Sequence, residues 1–304
     1  MNRRFQLEFV LLAALWGASF LFMRIAAPEF GPMPLMLVRC LVGAVVLLPI
    51  ALAREGGGGL ARAARAASGR LFVAGIFNSA IPFVMFGYAA LALNAGFSSI
   101  LNATAPIFGA IIGYAWLKER LSGWRIAGLA IGIAGVVVLS WDKASFRGDA
   151  AGGWAVLACL VATFCYGIAG NFVRRHLGGT HPLLVATGSQ LAATLVLSAP
   201  GIAAWPQEPP SAASWACAIT LGSACTGLAY VLFFRLIANV SASAALSVTY
   251  LIPLFGIAWG WLFLGETVDP PMLAGGAIVV LGTALATGML RPGVSPMRAA
   301  RRTD

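Results

Sequence analysis

Long apolar runs alternate along this chain with short polar punctuation. Ten of the runs have the length of a bilayer-crossing helix, about 20 residues. They lie at about 7–27, 32–53, 71–92, 97–117, 124–141, 151–173, 182–201, 212–236, 242–264 and 269–289. Several of the connections carry Pro or Gly, as in "PEFGPMP", "REGGGG", "RGDAAGG", "WPQEPP" and "VDPP". A membrane barrel would show segments of about ten residues with alternating polarity. These runs are continuous, which predicts helices. The expected fold class is an all-α integral membrane protein with ten transmembrane helices.

Composition agrees. The 304 residues are 60% hydrophobic and 10% charged, with a mean hydropathy of +0.89, whereas a soluble domain carries about 25% charged residues. The net charge of +10 raises nucleic acid as a partner, and its distribution removes it. With the N-terminus placed in the cytoplasm, 16 of the 20 Lys and Arg residues fall on the cytoplasmic side, as the positive-inside rule requires. Arg24, Lys143 and Arg147 lie outside, and Arg39 lies within a span. The charge is therefore topology, with both termini cytoplasmic. Arg3 and Arg4 ahead of an apolar stretch imitate a signal peptide, but the stretch is about 20 residues long and ends in no small-residue cleavage site, so it reads as a retained span. The five cysteines, Cys40, Cys159, Cys165, Cys217 and Cys225, sit in apolar runs without metal-type spacing and read as small buried residues.

The chain also repeats itself. Residues 102–135 and 249–282 align without a gap at an offset of 147, which matches Pro106 with Pro253, Phe108 with Phe255, Gly109 and Gly113 with Gly256 and Gly260, and Glu119 with Glu266. At an offset of 150, "LWGA" (15–18) lies over "CYGI" (165–168), so that Trp16 corresponds to Tyr166, and Arg24 lies over Arg174. The expected units are residues 1–145, residues 146–290 and a basic cytoplasmic tail, 291–304. Five spans is an odd number, so the second unit inserts upside down. The charges follow: "LKERLSGWR" carries three positives, its counterpart "LGETVDPPM" carries none, and the basic loop 54–70 corresponds to 202–211, which has no Lys or Arg. Inverted repeats point to a secondary transporter whose site lies near the midplane, where the halves meet.

"ALWGASFLFMR", "LMLVRCLVGAVVLL" and the segment from "GYAALALNAGFSS" through "IAGVVVL" resemble the EamA-type repeat of the drug/metabolite transporter superfamily, and a weaker copy runs from about 151 to 289. The resemblance implies ten helices in a 5+5 inverted repeat, a central cavity, and export of small metabolites, aromatic amino acids foremost, across the bacterial inner membrane. The second half departs from the pattern where Gly265 and Thr267 flank Glu266.

Polar groups inside hydrocarbon are costly and mark candidate sites. Arg39 is the clear intramembrane charge, read either as a ligand for a substrate carboxylate or gate, or as a side chain that snorkels outward. Ser99, Asn102 and Pro106 share a face of span 4. Span 9 offers Thr249 and Pro253 with a stripe of Ser243, Ser247 and Tyr250. Pro106 and Pro253 are expected to kink their spans and free a carbonyl one turn earlier. Trp16, Ser19, Asn78, Phe83, Tyr88, Tyr166 and Tyr230 complete the candidate cavity, where rings stack apolar groups and polar tips orient a substrate. Arg24 and Arg235 read as interfacial anchors, and the Gly-x-x-x-Gly pairs at 109/113 and 256/260 as helix crossings. The hairpins of spans 3–4 and 8–9 are the expected gates.

No phosphate-cradling loop, nucleophile elbow or metal-ligand cluster occurs, so no enzyme, cofactor or metal is expected. The partners are the lipid bilayer and a small-molecule substrate; the oligomeric state is open. Sugar phosphates or nucleotides would call for several core Lys or Arg residues. The alternatives are an exporter of other hydrophobic compounds or drugs, or a membrane scaffold that transports nothing. All ten acidic residues fall in loops or at span ends, which disfavours a proton relay built on a mid-membrane carboxylate. Proteoliposomes under an imposed pH gradient test this: the expected result is no strong accumulation, and concentrative uptake driven by the gradient would overturn it.

Overall fold

A computed structural model describes residues 3–55, 57–144, 150–240 and 245–290. The described residues form helices and connections, with no strand among them. Eight helical stretches are long and apolar enough to cross a membrane: Arg3–Phe30, Pro32–Arg54, Ala67–Ala89, Ala95–Leu117, Gly123–Trp141, Ala151–His176, Pro182–Ala203 and Ala212–Asn239. The last two expected runs are shorter apolar helices, Ile252–Leu264 and Pro270–Ala286. Run 9 is shortened because a single turn of tighter helix, Ser247–Tyr250, precedes a break at Leu251. Run 10 opens only at Pro270, behind an Asp269 cap that accepts from the Met272 N–H at 2.8 Å.

The elements in order are α1 (Arg3–Phe30), α2 (Pro32–Glu55), α3 (Gly57–Gly75), α4 (Ile81–Ala89), α5 (Ala95–Asn102), α6 (Ala105–Leu117), α7 (Gly123–Ala144), α8 (Ala150–His176), α9 (Pro182–Ala203), α10 (Ala212–Gly222), α11 (Ala229–Asn239), α12 (Ile252–Leu264) and α13 (Pro270–Ala286). The segment expected as a basic loop, 54–70, is instead mostly helical, because its alanines and arginines are strong helix formers. Pro32, Pro182 and Pro270 stand at the first positions of α2, α9 and α13, where the missing N–H costs nothing.

Four of the expected spans are interrupted. Between α3 and α4 the helix widens into a π-turn at Ile76–Ala80, and between α10 and α11 into another at Ser223–Leu228. The two π-turns start 147 residues apart, the same offset that aligns the sequence. Span 4 breaks at Ala103–Thr104 and span 9 at Leu251, so Pro106 and Pro253 sit in the first turns of α6 and α12. They do not kink a continuous helix: proline is well placed in a first turn and starts the second segment.

Close crossings repeat at matched positions. Gly17 of α1 lies against Phe255 and Gly256, and Gly167 of α8 lies against Phe108 and Gly109. Gly75 meets Ser189 and Ala192 of α9, and Gly222 meets Arg39 and Val42 of α2. The tightest seam joins α7 to α13, where Gly128, Gly132 and Gly135 face Ala286, Gly282 and Val279 with no room for side chains. The most apolar windows of the eight long stretches are only 28–56% buried. Leu7, Trp154, Leu195 and Trp261 are among the large apolar side chains left exposed, as a lipid-facing surface requires.

The seam gives a direct test. A Cβ on Gly275 would stand 2.8 Å from Leu139 Cα, so Gly275→Ala is expected to lower stability by about 1–3 kcal/mol through overpacking. Gly109→Ala, where a Cβ meets nothing within 4 Å, is expected to leave it unchanged or slightly raised. Thermal unfolding of the detergent-solubilised variants measures both.

Candidate functional site

The two π-turns each carry a buried polar residue, Ser79 and Thr226. A π-turn leaves backbone groups offset from their usual partners, and such turns recur at functional sites. In the second turn, the Thr226 hydroxyl donates to the Leu221 carbonyl at 2.8 Å and accepts from Arg39 Nε at 3.1 Å. The Arg39 guanidinium is turned inward, with the residue 6% exposed. It lies 3.7 Å from the centroid of the Phe83 ring, with Nη1 3.8 Å from Met23 Sδ. Its partners are therefore a hydroxyl, a thioether and a ring face. No described carboxylate pairs with it.

The first π-turn supplies Asn78 and Ser79. Asn78 Nδ2 donates to the Tyr230 hydroxyl at 2.9 Å, and Gln190 Nε2 of α9 donates to Ser79 Oγ at 2.9 Å. Tyr166 and Tyr230 both lie within electrostatic reach of Arg39. Tyr166 stacks on Phe86 at 6.3 Å, and Tyr230 on Phe234 at 5.9 Å. The structure thus gathers Arg39, Asn78, Phe83, Tyr166 and Tyr230 into one cluster.

The other expected residues lie elsewhere or turn to their own backbone. Trp16 packs on Phe233 at 5.4 Å. Ser19 is buried and donates to the Leu15 carbonyl at 3.5 Å. Tyr88 is exposed. Ser99 donates to the Gly96 carbonyl at 2.6 Å and fills the space a side chain on Gly256 would need. Asn102 ends α5, half-buried. Thr249 bonds the Leu246 carbonyl at 2.9 Å, and the Tyr250 hydroxyl meets Thr287 Oγ1 at 2.6 Å. Ser243 lies outside the described residues.

Two carboxylates flank this interior, one beyond each end of the α5–α6 stretch, which spans roughly 30 Å at helical rise. Glu266 accepts from the Ala95 N–H through both oxygens, at 3.1 and 2.9 Å, and lies 3.7 Å from Arg24 Nε. Arg24 Nη1 also donates to the carbonyls of Ala90 and Leu91 at 2.8 and 3.3 Å. At the far end, Glu119 pairs with Arg174 Nη1 at 2.8 Å, and Arg174 Nη2 donates to Asn171 Oδ1 at 2.9 Å. Arg24 thus ties the end of α4 to Glu266. Arg235 is likewise bonded, to Glu8 at 2.7 Å. A side chain on Gly113 would meet the Glu119 carboxylate and Asn171 of α8, and one on Gly260 the Glu266 carboxylate and Ala95 of α5, so each glycine seats a carboxylate at a helix contact. Sequence reasoning missed Gln190, Thr226 and these carboxylate seats. The seats had a signal, since each Gly-x-x-x-Gly pair is followed six residues later by glutamate.

The profile of the EamA-like transporter family matches residues 6–141 and again 153–288. The chain is 27% identical over 279 residues to a probable terminal-alkyne amino-acid exporter of Streptantibioticus cattleyicolor, covering 91% of each. It is 24% identical over 286 residues to the transporter YdfC of Bacillus subtilis, covering 90% of this chain and 87% of that one. One chain of known crystal structure superposes on 97% of this chain and 100% of its own length, at a TM-score of 0.66 and 18% identity, a likeness of fold.

Burial outweighs the Ala95 N–H and Arg24 and raises the Glu266 carboxyl above its ordinary value. The seated carboxyl therefore binds its proton more tightly than an exposed one. The seated form is favoured below the raised value, and that advantage is lost as pH rises through it. Amide exchange at Ala95–Phe97, normalised to intrinsic rates, is expected to slow as pH falls through that range. Glu266→Gln, which keeps an acceptor oxygen and stays neutral, is expected to hold exchange at its slow, low-pH level and to remove the pH dependence.

Proposed function

The chain belongs to the EamA-like transporter family, and on that premise we propose that it is a secondary transporter exporting neutral amino acids, aromatic ones foremost, across the bacterial inner membrane. The observation that carries this reading is Arg39, a buried guanidinium without a carboxylate partner among the described residues. A cation held in an apolar interior is costly until an anion joins it. A substrate carboxylate supplies that anion. Tyr166, Tyr230 and Phe83 around it suit an apolar or aromatic side chain, and a single core cation fits one carboxylate better than a phosphate ester. The exporter name of the Streptantibioticus relative points the same way.

In this reading the chain is two five-helix units, 1–145 and 146–290, inserted in opposite orientations as ten spans, with a basic tail and both termini in the cytoplasm. The reciprocal ion pairs fit it: Glu119 of the first unit holds Arg174 of the second, and Glu266 of the second holds Arg24 of the first. Each pair closes one end of the pathway. Alternating access follows when one pair is formed while the other is broken. The substrate binds between the π-turns, and the shorter α12 and α13 span within a locally thinned or tilted arrangement.

Proteoliposomes containing only this chain are expected to exchange radiolabelled phenylalanine or another neutral amino acid faster than empty vesicles. Arg39→Gln is expected to lower that flux by about 10- to 100-fold, the range for a lost charge-assisted bond. Flux at the level of empty vesicles for every amino acid tried would overturn the assignment.

A further inference from the structure

Building on the amino-acid reading, we propose that Gln190 completes the site as the acceptor for the substrate's α-ammonium group, opposite Arg39, which takes the α-carboxylate. Gln190 is 0% exposed. Its Nε2 is committed to Ser79 at 2.9 Å, while its Oε1 is buried and has no hydrogen-bond partner. A buried acceptor without a donor is uncommon and calls for an explanation. The unpartnered hydroxyls of Ser98, Ser140, Ser189 and Ser214 are weaker cases, because a helical serine hydroxyl can rotate onto a carbonyl of its own preceding turn. An amide oxygen can only accept. The unpartnered Glu8 Oε2 belongs to a carboxylate already neutralised through Oε1 by Arg4 and Arg235.

The position of that oxygen matters. Arg39 and Gly43 stand one turn apart on α2, on the same face. A Cβ on Gly43 would stand 3.0 Å from Thr226 Cγ2 and 3.5 Å from Gln190 Oε1. Thr226 is also the residue whose hydroxyl receives Arg39 Nε at 3.1 Å. The close approach at Gly43 therefore sets the free amide oxygen against α2, one turn from Arg39 and across Thr226 from the guanidinium. One offers an acceptor and the other donors, an arrangement that matches the two ends of a zwitterionic head group.

A zwitterion needs such a partner here. The described Asp and Glu residues lie in connections or within the first or last two turns of helices, and the buried Glu8 is already paired with Arg4 and Arg235, so no described carboxylate is free to meet the ammonium beside Arg39. A neutral amide oxygen meets it without adding a charge that the apolar surroundings would penalise. The side chain of the substrate is then left to the rings of Phe83 and Tyr166.

Three probes separate the two contacts: phenylalanine, 3-phenylpropionate, which lacks the ammonium, and phenethylamine, which lacks the carboxylate. Binding to the solubilised full-length protein is measured by competition with labelled phenylalanine and by tryptophan fluorescence, and flux is measured in proteoliposomes. The wild type is expected to prefer phenylalanine to both analogues. Gln190→Leu is expected to weaken phenylalanine about tenfold and leave 3-phenylpropionate unchanged, so the two become equal competitors. Gln190→Glu, which keeps the shape and adds a charge, is expected to improve phenethylamine. Each variant is checked for monodispersity and thermal stability. If Gln190→Leu keeps the wild-type preference, or weakens both acids equally, the ammonium role is wrong. If Gln190→Leu fails to fold, the charge variant decides: no gain in phenethylamine overturns the proposal. Wild-type protein that neither binds nor carries any amino acid would overturn the transport assignment itself, and with it this site.

Discussion

A helix interrupted inside an apolar slab must find new partners for the backbone groups it releases, because lipid offers none. Much of the interior polarity of this protein follows from that requirement. The widened turn at Ser223–Leu228 is closed by the Thr226 hydroxyl on the Leu221 carbonyl. At the break in span 4, the Leu101 carbonyl receives the Thr104 hydroxyl at 2.7 Å and the Ala103 carbonyl receives Thr283 from α13 at 2.9 Å. On α6, the Gly109 carbonyl receives Asn171 Nδ2 at 2.9 Å. The break in span 4 is therefore tied to a distant helix, and one member of the polar cluster around Arg39, Thr226, serves both the backbone and the cluster. Thr226 does both: one hydroxyl settles a freed carbonyl and holds the guanidinium in place.

The interruptions could be tolerated only where helices approach closely. Glycine at the crossings of α1 with α12, α8 with α6, and α7 with α13 brings backbones near enough for side chains of one helix to reach carbonyls of the next. Two further glycines, Gly113 and Gly260, seat the flanking carboxylates. Packing and polarity are thus one design: a larger residue at Gly260 would remove a contact and displace the Glu266 carboxylate that holds the start of α5.

Much of this was legible in the sequence, in uneven degree. Long apolar runs bounded by Pro and Gly marked the helices well, because in a bilayer hydropathy and helix are nearly the same signal. The matched segments at 102–135 and 249–282 also anticipated the recurring crossings. The π-turns were invisible, since "IFNSA" and "SACTGL" continue their apolar runs without a proline or a charge. Helical extension through 57–75 was hidden by arginines that looked like a loop. Asn78, Phe83, Tyr166 and Tyr230 stood out as polar or aromatic residues in apolar stretches and do cluster with Arg39. Ser99 and Thr249 stood out in the same way yet bond their own backbone, and no local pattern distinguishes the two outcomes. Gln190 sat in a helix with no periodic feature pointing to it. Glu266 matched Glu119 in sequence, but its main partner is a backbone N–H 171 residues away, a kind of contact that side-chain identities do not encode.

The two flanking ion pairs are built on matching residues but are not equally wet. The Glu119 and Arg174 side chains are 37% and 53% exposed, whereas those of Glu266 and Arg24 are 13% and 34% exposed. Mobile ions screen exposed charges strongly and enclosed ones little. Ionic strength therefore acts as a one-sided lever: it loosens the Glu119 end while leaving the Glu266 end nearly untouched. Two ion pairs built on matching residues are thus screened to different degrees by the surrounding electrolyte.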